Sequence, residues 1–222
     1  MTKVIKSRKA QMQTALRWSA GLFAGFLLVT VQVANYGWIT AYDKMINSEP
    51  KPQFKGAAGF LLRRVDDLGL RWLTATVLIA SALFIAVKFK TWRPLNLAAL
   101  SLLLLNGVVG VFKLYLGRTK PRLGVDILHA GGMSYPSGHA SNAVLSWGIL
   151  AYLIYRYAKV DRYQGRLATA GVVLISLSIC TASLIRHTHW FSDLLGGLLI
   201  GSALLVAVIA VDRYFPSESQ RS

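Results

Sequence analysis

Apolar residues in this chain fall into six runs: approximately Trp18–Tyr42, Leu70–Phe89, Leu95–Leu116, Ala140–Ala158, Leu167–Ile185 and Phe191–Val211. A helix needs about 20 apolar residues to cross about 30 Å of hydrocarbon, so the pattern predicts an all-α, integral membrane bundle of six transmembrane helices. None of the runs carries an ionised side chain at its centre, and Lys113 lies only near the end of the third. Residues 1–17 are polar and basic and predict a cytoplasmic tail, residues 18–212 a six-helix membrane domain, and residues 213–222 a second cytoplasmic tail. The longest loop, residues 43–69, holds Pro50 and Pro52 and then GFLLRRVDDLG, whose apolar and charged positions alternate at helical spacing. Two readings of that segment stay open: an amphipathic helix lying in the interface, or a plain connecting loop. Gly21/Gly25 and Gly197/Gly201 form small-xxx-small pairs that suit close helix contact.

A net charge of +16 raises the question of a nucleic-acid partner. The distribution argues against one, because no basic helix with interleaved aromatics lies outside the apolar runs. Lysine and arginine mark membrane sidedness instead. With the N-terminus in the cytoplasm, 14 of the 25 basic residues fall on the inner side, among them Lys88, Lys90, Arg156, Lys159, Arg213 and Arg221. Both termini are then cytoplasmic, and the loops after the first, third and fifth runs face outward. The first run is longer than a signal-peptide core and lacks a clear small-residue cleavage site, so it reads as an uncleaved anchor in the cell membrane. The lone Cys180 lies inside the fifth run and reads as a small buried residue.

Three polar clusters remain, all at outward helix ends. The first, KLYLGRTKPR, sets Lys113, Arg118, Lys120 and Arg122 within ten residues and no acid among them. One or two cations there would suit snorkelling or the helix dipole; four point to a nearby anion. The second, YPSGHAS, joins Pro136 at a helix start, the Ser137 hydroxyl, Gly138 and His139. Free amides at such a terminus bind anions, and a histidine there moves protons near neutral pH. A plain capping histidine is the bland reading of the same residue. The third, RHTHWFSD, places His189 four residues before Asp193, on one helix face. A carboxylate there would fix the imidazole tautomer, as in a catalytic triad. Histidine and carboxylate also serve as metal ligands, but the surrounding cations would repel a divalent ion. Together the clusters suit a phosphate group, with cations and amides stabilising phosphoryl oxygens and two histidines for attack and protonation.

In wording and spacing the clusters resemble the type 2 phosphatidic acid phosphatase (PAP2) superfamily, whose soluble relatives include vanadium haloperoxidases. Its motifs run Lys-x6-Arg-Pro, Pro-Ser-Gly-His and Ser-Arg-x5-His-x3-Asp. Here Lys113 and Lys120–Pro121 hold the first spacing, Pro136–Ser137–Gly138–His139 is the second unchanged, and His189-x3-Asp193 ends the third. The resemblance implies a PAP2/haloperoxidase-like core from about the third run to the sixth. It also implies His189 as the nucleophile, Asp193 as its orienter and His139 as the general acid. Lys113, Lys120, Ser137, Gly138 and an arginine would bind the phosphate, with no metal and no other cofactor.

Two departures stand out. Lys120 replaces the motif arginine and so loses its bidentate fork, which Arg118 or Arg122 is near enough to supply. The third motif's arginine should stand at position 183, which is Ser183; Arg186, almost one turn further on, is the nearest substitute for phosphate binding. His187 has no counterpart in the family pattern.

The expected activity is metal-independent hydrolysis of a lipid phosphate monoester or diphosphate through a phosphohistidine at the outer face. The substrate class covers isoprenyl diphosphate, phosphatidic acid and phosphatidylglycerophosphate, and the partners are this lipid and the surrounding membrane lipids. The alternatives are a phosphotransferase of the same family and a silent protein that binds anionic lipid. A transporter fits less well, since no acid stands mid-helix to couple protons.

Overall fold

The computed structural model describes residues 2–158 and 160–215. Among them it has eight α-helices, one 3-10 turn (Pro121–Leu123) and no β-strand. The helices are α1 (Thr2–Ala34), α2 (Trp38–Ser48), α3 (Gly56–Asp67), α4 (Arg71–Lys88), α5 (Arg93–Leu116), α6 (Gly138–Tyr157), α7 (Arg162–Ile185) and α8 (Phe191–Tyr214).

Each of the six apolar runs contributes one long helix, but membrane length and apolarity are met by five of them: α1 from Ser7, α4, α5, α7 and α8. At 20 residues α6 is long enough to span. His139, Ser141, Asn142 and Ser146 make it too polar to stand with the others. Its position explains the tolerance, since α4, α5, α7 and α8 all pack around it and shield those groups. The outward faces of the neighbouring helices are apolar instead, as at Leu28, Leu103 and Leu114. A polar group inside a membrane bundle faces the interior for that reason.

Several boundaries differ from those expected. The first run does not continue to Tyr42. α1 stops at Ala34, Tyr36 takes a left-handed φ of 51°, and α2 starts anew after Gly37. Residues 2–17 are helical and continuous with the rest of α1, since no proline or glycine interrupts them. The segment GFLLRRVDDLG is helical, as α3. α8 runs to Tyr214, past the expected start of the C-terminal tail at residue 213. Residues 216–222 of that tail, with Arg221, and Lys159 lie outside the described residues.

α1 lies along α8, and α8 against α6. The α6–α8 contact depends on one of the two glycine pairs. A Cβ on Gly197 would stand 2.6 Å from the Ser137 carbonyl oxygen, and one on Gly201 would stand 2.9 Å from that of Ser141. Gly21/Gly25 makes no such approach, with only Leu199 side-chain atoms near Gly25. Buried Phe26, Leu78, Leu105, Leu145, Ile149 and Ile200 fill the core between the long helices. At the end remote from the polar clusters, Asp212 of α8 accepts from Arg93 Nε of α5 at 2.7 Å and from Arg156 and Tyr152 of α6.

Candidate active site

The three clusters meet at one end of the bundle because α5 and α7 finish there while α6 and α8 begin there. α5 ends where Gly117 turns left-handed (φ 51°) and its amide donates to the Lys113 carbonyl at 2.9 Å. A glycine takes that turn without the steric cost of a side chain. Lys113 thus stands in the last turn, its Cε 3.8 Å from the place of a Cβ on Gly138. Its ammonium donates to the Met133 carbonyl. Ser137 caps α6, accepting from the Ala140 amide at 3.3 Å. Pro136 therefore precedes the cap rather than filling the first helical turn. Gly138 and His139 open the helix, and amides in that position lack intrahelical partners.

His189 lies in the α7–α8 turn and Asp193 in the first turn of α8, so the pair meets across a helix start rather than along one face. His189 Nδ1 stands 3.4 Å from Asp193 Oδ2, and the His139 and His189 ring centres are 6.0 Å apart. Asp193 is wholly buried and fully used: Oδ2 also accepts from the Trp190 amide at 2.9 Å and from the Ser134 hydroxyl. Oδ1 accepts from Arg118 at 2.8 Å, and the Asp193 carbonyl takes the Ser137 amide at 2.9 Å. These bonds lock the second cluster to the third. The charges of Asp66, His189, Lys120 and Lys113 all act on His139. Half-buried Lys120 precedes the Pro121 turn, which is tied to the third cluster by the Arg122 amide donating to the His187 carbonyl at 3.2 Å.

Arg118, grouped above with the phosphate ligands, has a different place. It is 0% exposed. Nε and Nη2 hold both Asp126 oxygens at 2.7 Å, Nη2 also reaches Asp43 at 2.7 Å, and Nη1 takes Ser192 and Asp193. Its guanidinium is 5.2 Å from the Trp190 ring. With every nitrogen spent on protein groups, it has no donor left for a ligand and acts as a buried hub behind the site. Asp43 completes that hub from α2, accepting from the Ser192 amide at 2.8 Å. Burial pushes its carboxyl above the ordinary value, with Arg118 pulling the other way.

Arg186 caps the end of α7, and its Nη1 pairs with Asp66 of α3. Ser183, at the family's arginine position, donates to the same carboxylate at 2.6 Å. His187 lies aside, its Nδ1 2.7 Å from Asn47 Oδ1, with its pKa lowered by burial and then by Lys51. Among the described residues no group of three or more His, Cys, Asp or Glu side chains is arranged to hold a metal ion. The acids Asp43 and Asp66 escaped the sequence reading. The signal was their scarcity: with nine acids in the whole chain, each one that is buried calls for a partner.

A family model described as the PAP2 superfamily matches residues 94–216. This chain belongs to the PAP2 superfamily. The match takes in all three clusters and leaves Asp43 and Asp66 outside it. The chain is also similar to phosphatidylglycerophosphatase B of Bacillus subtilis (strain 168), 27% identical over 104 residues, which is 46% of this chain and 50% of that protein. The matched stretch thus spans half the length of that relative. In fold it resembles the crystal structure of the first transmembrane PAP2 type phosphatidylglycerolphosphate phosphatase from Bacillus subtilis. That comparison has a TM-score of 0.76 at 18% identity and covers 90% of this chain and 98% of the other. The long apolar helices and this neighbour make the chain an integral membrane PAP2 protein.

Proposed function

We propose that this protein hydrolyses a lipid phosphate monoester or diphosphate through a phosphohistidine on His189. The observation that carries the reading is the pairing of His189 with Asp193, with His139 facing it 6.0 Å away between ring centres. The names of its relatives make phosphatidylglycerophosphate the first substrate to test, with phosphatidic acid and isoprenyl diphosphate in the same class.

In this reading Asp193 accepts a hydrogen bond from the Nδ1–H of His189, which leaves Nε2 free to attack phosphorus. The bond from phosphorus to the leaving oxygen breaks as His139 gives that oxygen its proton. Lys113, Lys120, the Ser137 hydroxyl and the opening amides of α6 hold the phosphoryl oxygens, where negative charge accumulates. Neutral His139 then takes a proton from water, whose oxygen attacks the phosphohistidine. Inorganic phosphate leaves and both histidines return to their starting state. No step calls for a metal. The lipid tail stays in the bilayer, with six crossings including α6, both chain termini cytoplasmic and the site at the outer face.

The test is phosphate release from detergent-purified protein on a panel of lipid phosphates with excess chelator. Wild type should release phosphate, and His189→Ala and His139→Ala should not. Turnover that survives His189→Ala overturns the mechanism, and loss of turnover to chelator overturns its metal independence. Phosphate appearing on a second lipid rather than in solution would make the protein a phosphotransferase. Lipid binding without turnover would make it a silent anionic-lipid binder.

A further inference from the structure

Asp66 lies in the last turn of α3, outside the stretch that the family model matches. It is 3% exposed, and both its oxygens are used on α7. Ser183 Oγ donates to Oδ1 at 2.6 Å, and Arg186 Nη1 pairs with Oδ2. The serine stands where the family pattern places an arginine, and the arginine comes from almost one turn later. One carboxylate therefore spans the vacated position and the substitute.

The place of this clamp ties it to the chemistry. The Gly69 amide donates to the Asp66 carbonyl at 3.0 Å, so the acid sits one turn behind the α3–α4 junction. That junction presses on the start of α6: a Cβ on Gly69 would lie 2.9 Å from both the Cβ and the carbonyl oxygen of His139. The charge of Asp66 accordingly acts on His139, the proposed general acid, from the same carboxylate that holds Arg186. The Arg186 side chain is 30% exposed, and only Nη1 is engaged. Nε and Nη2 have no partner among the described residues, so a planar edge with two donors faces away from the carboxylate. An arginine held along one side presents such an edge to a phosphoryl group bidentately.

Resting on the phosphatase reading above, we propose that Asp66 is a positioning residue. It anchors the displaced Arg186 so that the free edge of its guanidinium binds the phosphoryl oxygens. The clamp takes the place of the family's arginine with a two-part device, an acid from α3 and an arginine from the end of α7.

The test is a double-mutant cycle on full-length protein in detergent with Asp66→Ala, Arg186→Ala and the pair. KM and kcat are measured on phosphatidylglycerophosphate, and binding of inorganic phosphate is followed by phosphorus NMR. Losing one charged phosphate contact should weaken phosphate binding and raise KM by roughly 10-fold or more. Asp66→Ala should do much the same alone and add almost nothing in the Arg186→Ala background. Asp66→Asn keeps the shape and the Ser183 bond, so it should fold and still show a weakened phosphate affinity. The proposal is overturned if Asp66→Asn lowers the unfolding temperature but leaves phosphate affinity and KM unchanged, or if the two alanine effects multiply. Phosphate binding needs no turnover. A wild type that binds phosphate through Asp66 and Arg186 yet hydrolyses no lipid would sink the phosphatase reading and keep the clamp.

Discussion

Replacing Arg118 by methionine should be the most damaging single change in the hub behind the site. The guanidinium is inaccessible to solvent and holds Asp43, Asp126, Asp193 and Ser192. Methionine fills much of the volume but leaves three carboxylates facing one another away from water. Removing one partner of a buried ion pair costs about 3–5 kcal/mol, most of it for the charge left behind. For a chain of this size, about 3–5 kcal/mol corresponds to roughly a 6–20 °C fall in unfolding midpoint. Protonation of one or two of the acids would offset part of this, so the lower half of that range is expected. The assay is thermal unfolding in detergent, followed by tryptophan fluorescence, since Trp190 stacks on the guanidinium. Adding Asp43→Asn and Asp126→Asn to Arg118→Met removes two of the stranded charges and should recover much of the loss. An Arg118→Met midpoint within about 2 °C of wild type, below even a 1 kcal/mol effect, would refute the assignment of Arg118 as a buried hub. Arg118→Lys separates charge from geometry: one ammonium cannot meet three acids in the plane of a fork, so it should fall between wild type and methionine.

Other outcomes follow from the same contacts. The Asp43 carboxyl is raised above its ordinary 3.8, mainly by burial. Its contribution to stability is therefore full below that value and is lost as pH rises through the higher folded-state value. The unfolding midpoint of wild type relative to Asp43→Asn should accordingly drop between pH 4 and neutrality, and a flat difference would contradict it. Gly197→Ala drives a methyl to within 2.6 Å of the Ser137 carbonyl. It should cost about 1–3 kcal/mol in unfolding and weaken phosphate binding as the α6 cap shifts; an unchanged midpoint would show that α8 can withdraw freely. Lys120→Arg restores the fork of the family motif and should lower KM severalfold without raising kcat, as a steady-state titration would show.

The three polar clusters that meet at the candidate site were legible in the sequence because each is contiguous and is confined to one helix end. Six long helices were legible from apolar length, though α6 carries enough polar groups to fall short of a span on composition alone. The break after Ala34 was hidden because Tyr36 and Trp38 keep the run apolar while the backbone turns between them. Arg118 and Lys120 could not be told apart by spacing: two residues separate a cation at the site from one entombed behind it, and the difference lies in Asp43 and Asp126. Asp43 and Asp66 act across separations of 75 and 117 residues. No local pattern encodes such pairings. The helical path of α3 was one of two open readings, yet its acid is the residue that gives the misplaced Arg186 a role.

Asp43 and Ser192 are 149 residues apart in sequence and share two hydrogen bonds beneath the site. Their union sets an order of assembly. As the chain is synthesised, α2 carries an acid whose partners Arg118 and Ser192 do not yet exist, and the cation cluster at the end of α5 emerges well before His189. The cations proposed to hold the phosphate are thus synthesised before the histidine proposed to attack it. The proposed nucleophile His189, its partner Asp193 and the serine that fastens α2 arrive together on one short stretch of α8 and the turn before it. On the proposed reading, a nascent chain stalled before that stretch carries the cations but neither the attacking histidine nor the acid that orients it.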